Sequence, residues 1–286
     1  LTVQIITDSA ADLPRSLIEQ YGIEVVPLSV SDAAGIYSDG GTLLPKQLFD
    51  RMREGHVYKT AQVSIEQFHK AFSAIAVKGL PAVYVAFSSG LSGTYQTSLL
   101  VRDMVKEEHP SLQLEIIDTK CASLGFGLVV LRAAQAAQAG KSAAEVAAVA
   151  AEAALHMEHI FTVENLEYLY RGGRVSKTSA FIGGLLNIKP VLHMEDGKLV
   201  PLEKARGRSK SLSRLAELME ARGASDLKTQ TIGISHGDDE ATAQALRRTI
   251  QEKFGCTDFV IHSIGASIGA HAGPGTIALF FLNKAL

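Results

Sequence analysis

Cysteine is nearly absent from this chain of 286 residues. Cys121 and Cys256 stand far apart without CxxC spacing, which excludes a zinc knuckle or disulfide framework and makes a reducing cytoplasm the expected compartment. An excess of charge is missing too: 28 Lys and Arg against 30 Asp and Glu give a formal net charge of -2, with no long basic block. Nothing electrostatic therefore recommends nucleic acid as a partner. Long apolar runs are lacking: the alanine-rich stretch from Leu128 to Leu155 is broken by Arg132, Gln135, Gln138, Gly140, Lys141, Glu145 and Glu152, short of the roughly 18 residues a membrane span needs. The opening LTVQIITDSAADLP has no basic segment ahead of an apolar core, so no export signal is expected. Several chemical signatures are absent as well. His156 and His159 are three residues apart, but there is no HExxH or HxH, and no bound metal is expected. The first strand runs into TDSAAD where a dinucleotide site would carry GxGxxG, GxxxxGK[ST] does not occur, and the loop around Ser92 reads Ser89-Gly90-Leu91-Ser92-Gly93, which is not the GxSxG of a serine elbow.

What is present is a globular composition, 47% hydrophobic and 20% charged, with length enough for two domains. Val3 to Ile6 form a strand, Arg15 to Tyr21 a helix stopped by Gly22, and Ile23 to Val30 a second strand, giving a βαβ opening. Asp12 is placed to cap that helix ahead of Pro14. Ile65 to Lys78 has Phe68, Phe72 and Ile75 on one helical face behind a Ser64/Gln67 capping box. The run Ala82 to Phe87 is a buried strand that empties into FSSGLSGTYQ, and Leu112 to Ile117 is another that ends in Asp118-Thr119-Lys120-Cys121-Ala122-Ser123. Helices from about Gly125 to Gly140 and from Ala143 to Leu155 follow. A domain boundary is expected between 157 and 158. Beyond it, Val191 to Met194 and Leu199 to Pro201 flank Glu195-Asp196-Gly197-Lys198 as a hairpin, so the second half should pair its strands in mixed or antiparallel fashion. The basic stretch Lys204 to Lys210 is expected to be a solvated surface. The fold expected is α/β: residues 1–157 with a parallel sheet flanked by helices, and 158–286 with a mixed or largely antiparallel sheet and helices.

Strand exits in a parallel sheet are where ligands bind. The loop after Phe87 offers glycines for tight backbone approach and hydroxyls for an oxygen-rich anion, although Ser88 and Ser89 can serve equally as helix caps. Thr60, in a polar loop with no capping duty, and His271, in the glycine-rich GASIGAHAGPGT loop, complete a set suited to a carboxylate: hydroxyls of Thr60 and Ser92, backbone N–H groups at Gly90 or Gly93, and the His271 imidazole. The same side chains could serve a hydrolase, Ser92 with His271 and either Asp118 or Asp238, acting on a small ester or thioester. A noncatalytic regulator with structural glycine loops is a further alternative.

TDSAADLP, KTAQVS, SSGLSGTYQ, IDTKCASLGFG, LEYLYRGGRVS, LLNIKPVL with GKLVPLEKARGRSK, and GAHAGPGT, in that order, resemble the DegV family of bacterial fatty-acid-binding proteins over essentially the whole chain. The resemblance implies two α/β domains enclosing a long-chain fatty acid in a tunnel near their interface, its carboxylate held by Thr60, Ser92 and His271. It also implies a binding protein without cofactor or catalytic residues. Such a protein presents the acid to a separate ATP-dependent fatty-acid kinase that forms the acyl phosphate, with transient membrane contact for lipid exchange. Arg171 and Arg174 of the RGGR turn match the family's element near the head group, where they would meet the partner or the phosphate. The chain departs from the family's usual TSQPS by carrying Ala61 and Val63. Leu91, Phe181, Ile182, Leu185, Leu186, Ile188 and Ile268 are candidates for the tunnel wall.

Overall fold

The computed structural model describes residues 2–175 and 187–286. β1 (Gln4–Asp8), α1 (Arg15–Tyr21) and β2 (Glu24–Val26) make the expected parallel βαβ unit. A small excursion follows: β3 (Ser29–Ser31), β4 (Ile36–Ser38), α2 (Pro45–Arg53) and β5 (Lys59–Ala61). α3 (Ile65–Lys78), β6 (Ala82–Ala86), α4 (Thr94–Glu108), β7 (Leu114–Asp118), α5 (Ser123–Gln138) and α6 (Ala143–Leu155) complete the first half. The second contains β8 (Met157–Thr162), α7 (Glu167–Arg171), the hairpin β9 (Ile188–Glu195) and β10 (Lys198–Arg206), α8 (Arg208–Arg222) and β11 (Thr231–His236). It ends with α9 (Glu240–Phe254), β12 (Asp258–Ser263), α10 (Ala266–Ala272) and β13 (Ile277–Leu282).

Three sheets result. The order β2-β1-β6-β7 is wholly parallel, and every residue of β6 is buried, as a strand covered on both faces must be. The order β10-β9-β8-β13-β11-β12 is antiparallel except for the β11–β12 pair. The chain is therefore built from two α/β domains, one with a parallel and one with a mixed sheet. The third sheet, β4-β3-β5, is small and antiparallel.

α5 positions the site. It is apolar on nearly all sides because it packs against β1 of the first sheet and against β8, β11 and β13 of the second. Its small residues permit that double contact. β13 alternates with period two: Ile277, Leu279 and Phe281 join the core under α8 and α9, whereas Ala278 and Phe280 face the core shared with α5. Phe161 on β8 shares that inner face.

Four local expectations are corrected. Ile23 to Val30 is broken at Pro27-Leu28 into β2 and β3, which belong to different sheets. Thr60 lies within β5, paired with Val30, and not in a loop. Asp12 does not cap α1, whose N-cap is Pro14; Asp12 adopts φ 50 and turns its carboxylate toward the second domain. His271 sits in the last turn of the short helix α10, formed inside the glycine-rich segment that was expected to be loop. The wall candidates Phe181, Ile182, Leu185 and Leu186 lie outside the described residues.

Candidate functional site

A cavity of about 820 Å³, counting its open mouth, lies between the inner face of the second sheet, α10 and the strand exits of the first domain. Its wall is mostly apolar, with Leu28, Phe87, Leu91, Phe161, Met194 and Phe280 among the contributors. Thr60, Ser92, Arg174 and His271 also line it. Three side chains from distant stretches, expected together as a carboxylate-binding set, thus share one cavity.

The link between Thr60 and His271 is direct, with Thr60 Oγ1 2.7 Å from His271 Nε2. Nδ1 on the other side of the ring is buried and has no partner. An orphaned N–H costs more than an orphaned lone pair, so the geometry assigns the imidazole proton to Nε2, which donates to Thr60. The Thr60 hydroxyl proton is then free to point at a ligand oxygen. The ring can sit here because residue 172 is glycine: a Cβ at Gly172 would stand 2.0 Å from Nδ1. Burial, reinforced by the neighbouring Arg174 guanidinium, pulls the His271 pKa down to about 4, so the ring is neutral at pH 7.

Ser92 precedes α4. Its Oγ accepts the Thr94 N–H at 3.2 Å and shares a hydrogen bond of 2.8 Å with Thr94 Oγ1. The hydroxyl therefore takes up one amide of the first turn of α4 while its residue lines the cavity. Gly90 and Gly93, either of which was expected to offer a backbone N–H to the ligand, are not among the residues that line the cavity. The Gly90 N–H is bonded to Ser88 Oγ at 3.2 Å, and a Cβ there would meet the Gly197 carbonyl oxygen at 2.5 Å. Gly90 is what lets the turn between β9 and β10 dock. Gln62 lies across Gly93 and donates to Thr97 Oγ1 at 2.5 Å. Ser88 and Ser89 do not cap α4: Ser88 Oγ donates to Gly197 O at 2.7 Å, and Ser89 Oγ donates to Asp118 at 2.5 Å and accepts from Lys120.

Arg174 is half-buried, with Nε donating to Leu91 O at 3.1 Å and Nη1 to Gly172 O at 2.6 Å. Arg171 is exposed, its guanidinium 5.2 Å from the centre of the Tyr168 ring. A Ser-His-Asp relay is not assembled. Asp118 is engaged with Ser89 and Lys120, Asp238 with Arg53, and His271 with Thr60.

Of the apolar candidates, Leu91 and Ile268 line the cavity, whereas Ile188 lies outside its wall. Sequence reasoning missed His159, whose Nε2 accepts from the Ala122 N–H at 3.1 Å and whose Nδ1–H donates to Met157 O at 3.1 Å. Burial lowers its pKa to about 4. It also missed Met194 and Leu199, a cross-strand pair of the hairpin. The period-two alternation of β9 and β10 was the available signal for these. Among the described residues, no group of three or more His, Cys, Asp and Glu side chains could hold a metal ion, and no helix is long and apolar enough to cross a membrane.

Fold and cavity define a two-domain α/β protein with a mostly apolar chamber and a few polar side chains in its wall. The chain belongs to the DegV family, whose model, described as "Uncharacterised protein, DegV family", matches residues 2–284. A DegV domain-containing protein from Clostridium perfringens is 42% identical over 282 residues, covering 98% of this chain and 97% of the relative. One from Caldanaerobacter subterraneus is 34% identical, covering 99% of both. Among solved structures, a DegV family protein from Thermus thermophilus reported for its fatty acid binding superposes with a TM-score of 0.86 at 31% identity, covering 98% of this chain and 99% of that one. A DegV lipid binding protein from Thermotoga maritima does so with a TM-score of 0.85 at 31% identity, covering 98% of each.

Proposed function

We propose that this protein binds a long-chain fatty acid, with the tail in the apolar cavity and the carboxylate at Thr60, Ser92 and His271. The observation that carries the reading is the Thr60–His271 pair set into an otherwise largely apolar chamber. Solved relatives whose fatty acid binding is reported add support. Each buried methylene contributes about 0.8 kcal/mol before ordering costs, so the tail supplies most of the affinity. The head group fixes direction: with the imidazole donating to Thr60, the threonine hydroxyl donates onward to the carboxylate, and the approach of that negative charge favours the imidazolium and raises the His271 pKa from its low resting value.

In this reading the protein is a carrier and not a catalyst. It presents the carboxylate to a separate ATP-dependent kinase that forms the acyl phosphate, with Arg174 near the head group and the exposed Arg171 as a contact for the kinase. The domains divide between 157 and 158. The division of labour is supported by the absence of a nucleotide-binding loop from the sequence and by the unassembled serine relay. Incubating the protein with ATP and fatty acid, with and without such a kinase, tests it. Acyl phosphate is expected only when both proteins are present, and its formation by this protein alone would overturn the assignment.

A further inference from the structure

His271 is carried by a helix that does not hold itself in place. α10 has seven residues, too few to be stable alone, and its N-cap residue, Gly265, has no side chain to close the first turn. Two carboxylates from the first domain do so instead. Asp12 Oδ1 accepts the Gly265 N–H at 2.9 Å, and Asp39 Oδ1 accepts the Ala266 N–H at 2.8 Å. Both carboxylates are themselves braced. Asp39 Oδ2 accepts from Ser9 Oγ at 2.9 Å, and that hydroxyl in turn accepts the Leu28 N–H at 3.0 Å. Asp12 Oδ2 accepts from Ser123 Oγ at 2.5 Å. At the opposite end of α10, His271 meets Thr60 of the same domain. The helix is fastened to the first domain at both ends.

We infer that Asp39, assisted by Asp12, is a positioning residue for the head-group site, setting the axial location of α10 and through it the reach of His271 toward Thr60. Burial holds both carboxyls above their ordinary range, a cost that a neutral cap would avoid. What the carboxylates add is two acceptor oxygens each, one for the helix and one for the brace behind it. The inference rests on the head-group reading proposed above.

The test compares delipidated wild type with Asp39→Ala, Asp39→Glu and Asp39→Asn, measuring affinity for hexadecanoic acid and for hexadecanol, which has the same tail but no carboxylate. Asp39→Ala is expected to weaken the acid about tenfold and leave the alcohol unchanged. Asp39→Glu, which keeps the charge but lengthens the cap, should fold and lose at least fivefold on the acid alone. Asp39→Asn, which keeps the acceptor for the helix but turns an amide N–H toward Ser9 in place of the second, should restore part of the preference. Combining Asp39→Ala with His271→Ala should cost little beyond His271→Ala. Equal losses for acid and alcohol, or a full acid preference in Asp39→Glu, would overturn the positioning role while leaving the head-group reading intact. A wild type that binds hexadecanol as well as hexadecanoic acid would overturn both.

Discussion

At the scale of single residues the account turns on His271, which is neutral at pH 7 because burial and Arg174 both disfavour its charged form. A proton NMR titration of the ligand-free protein should find its midpoint near 4, well below the ordinary 6.5 or so. Adding fatty acid should move it upward; an unmoved midpoint would separate the ring from the carboxylate. The stability consequence has a definite sign. Because the folded pKa lies below the unfolded one, the unfolded chain binds more protons between about pH 4 and 6.5, so this group costs stability as pH falls through that window and nothing above it. His159 acts in the same direction. His271→Ala should flatten that part of the pH–stability curve in urea melts and weaken fatty-acid retention by about tenfold, the order of one lost hydrogen bond that orients the Thr60 hydroxyl. Asp8 has the opposite sign. Burial raises its carboxyl to about 7 despite bonds from Tyr84 and Phe87, so it costs stability as pH rises from about 4 through 7. The difference in stability between Asp8→Asn and wild type should shift in favour of the variant across that window and level off above it.

At the scale of elements, the loop between β6 and α4 joins the two domains through backbone contact. The Gly197 carbonyl stands where a side chain on Gly90 would be. Gly90→Ala must therefore push the hairpin turn, at a cost of about 1–3 kcal/mol, measurable as a lowered melting temperature. Gly93→Ala would meet only the movable end of Gln62 and should be mild. The elements themselves were largely legible in the sequence. The βαβ opening, the capping box at Ser64, and the β9–β10 hairpin follow from local pattern and turn chemistry. What was not legible depends on partners remote in sequence. β5 is only three residues long and exists because β3 pairs with it. α10 carries four Ala or Ser residues and a central glycine, is flanked by glycine at both caps, and forms because Asp12 and Asp39 satisfy its first amides. Asp12 looked like a local cap for the same reason: its true partner is Gly265, far along the chain. Thr60, Ser92 and His271 were recognisable as polar residues at strand exits and in glycine-rich segments. The reassignment of Gly90, Ser88 and Ser89 required the hairpin to be in place.

For the whole molecule, α5 is shared by the two sheets, so the cavity wall and the domain interface draw on one core. A ligand filling that chamber should stabilise both domains together, and delipidation should lower a single melting transition without splitting it in two. The departure from the family pattern at Ala61 and Val63 leaves β5 paired and Thr60 within hydrogen-bond reach of His271. The central claim is that the chamber holds a fatty acid. The most direct measurement is mass analysis of lipid extracted from protein purified under native conditions. The account predicts one long-chain fatty acid per protein molecule in wild type and a depleted fraction in His271→Ala; a wild type that carries no fatty acid and takes none up when offered it would contradict the account.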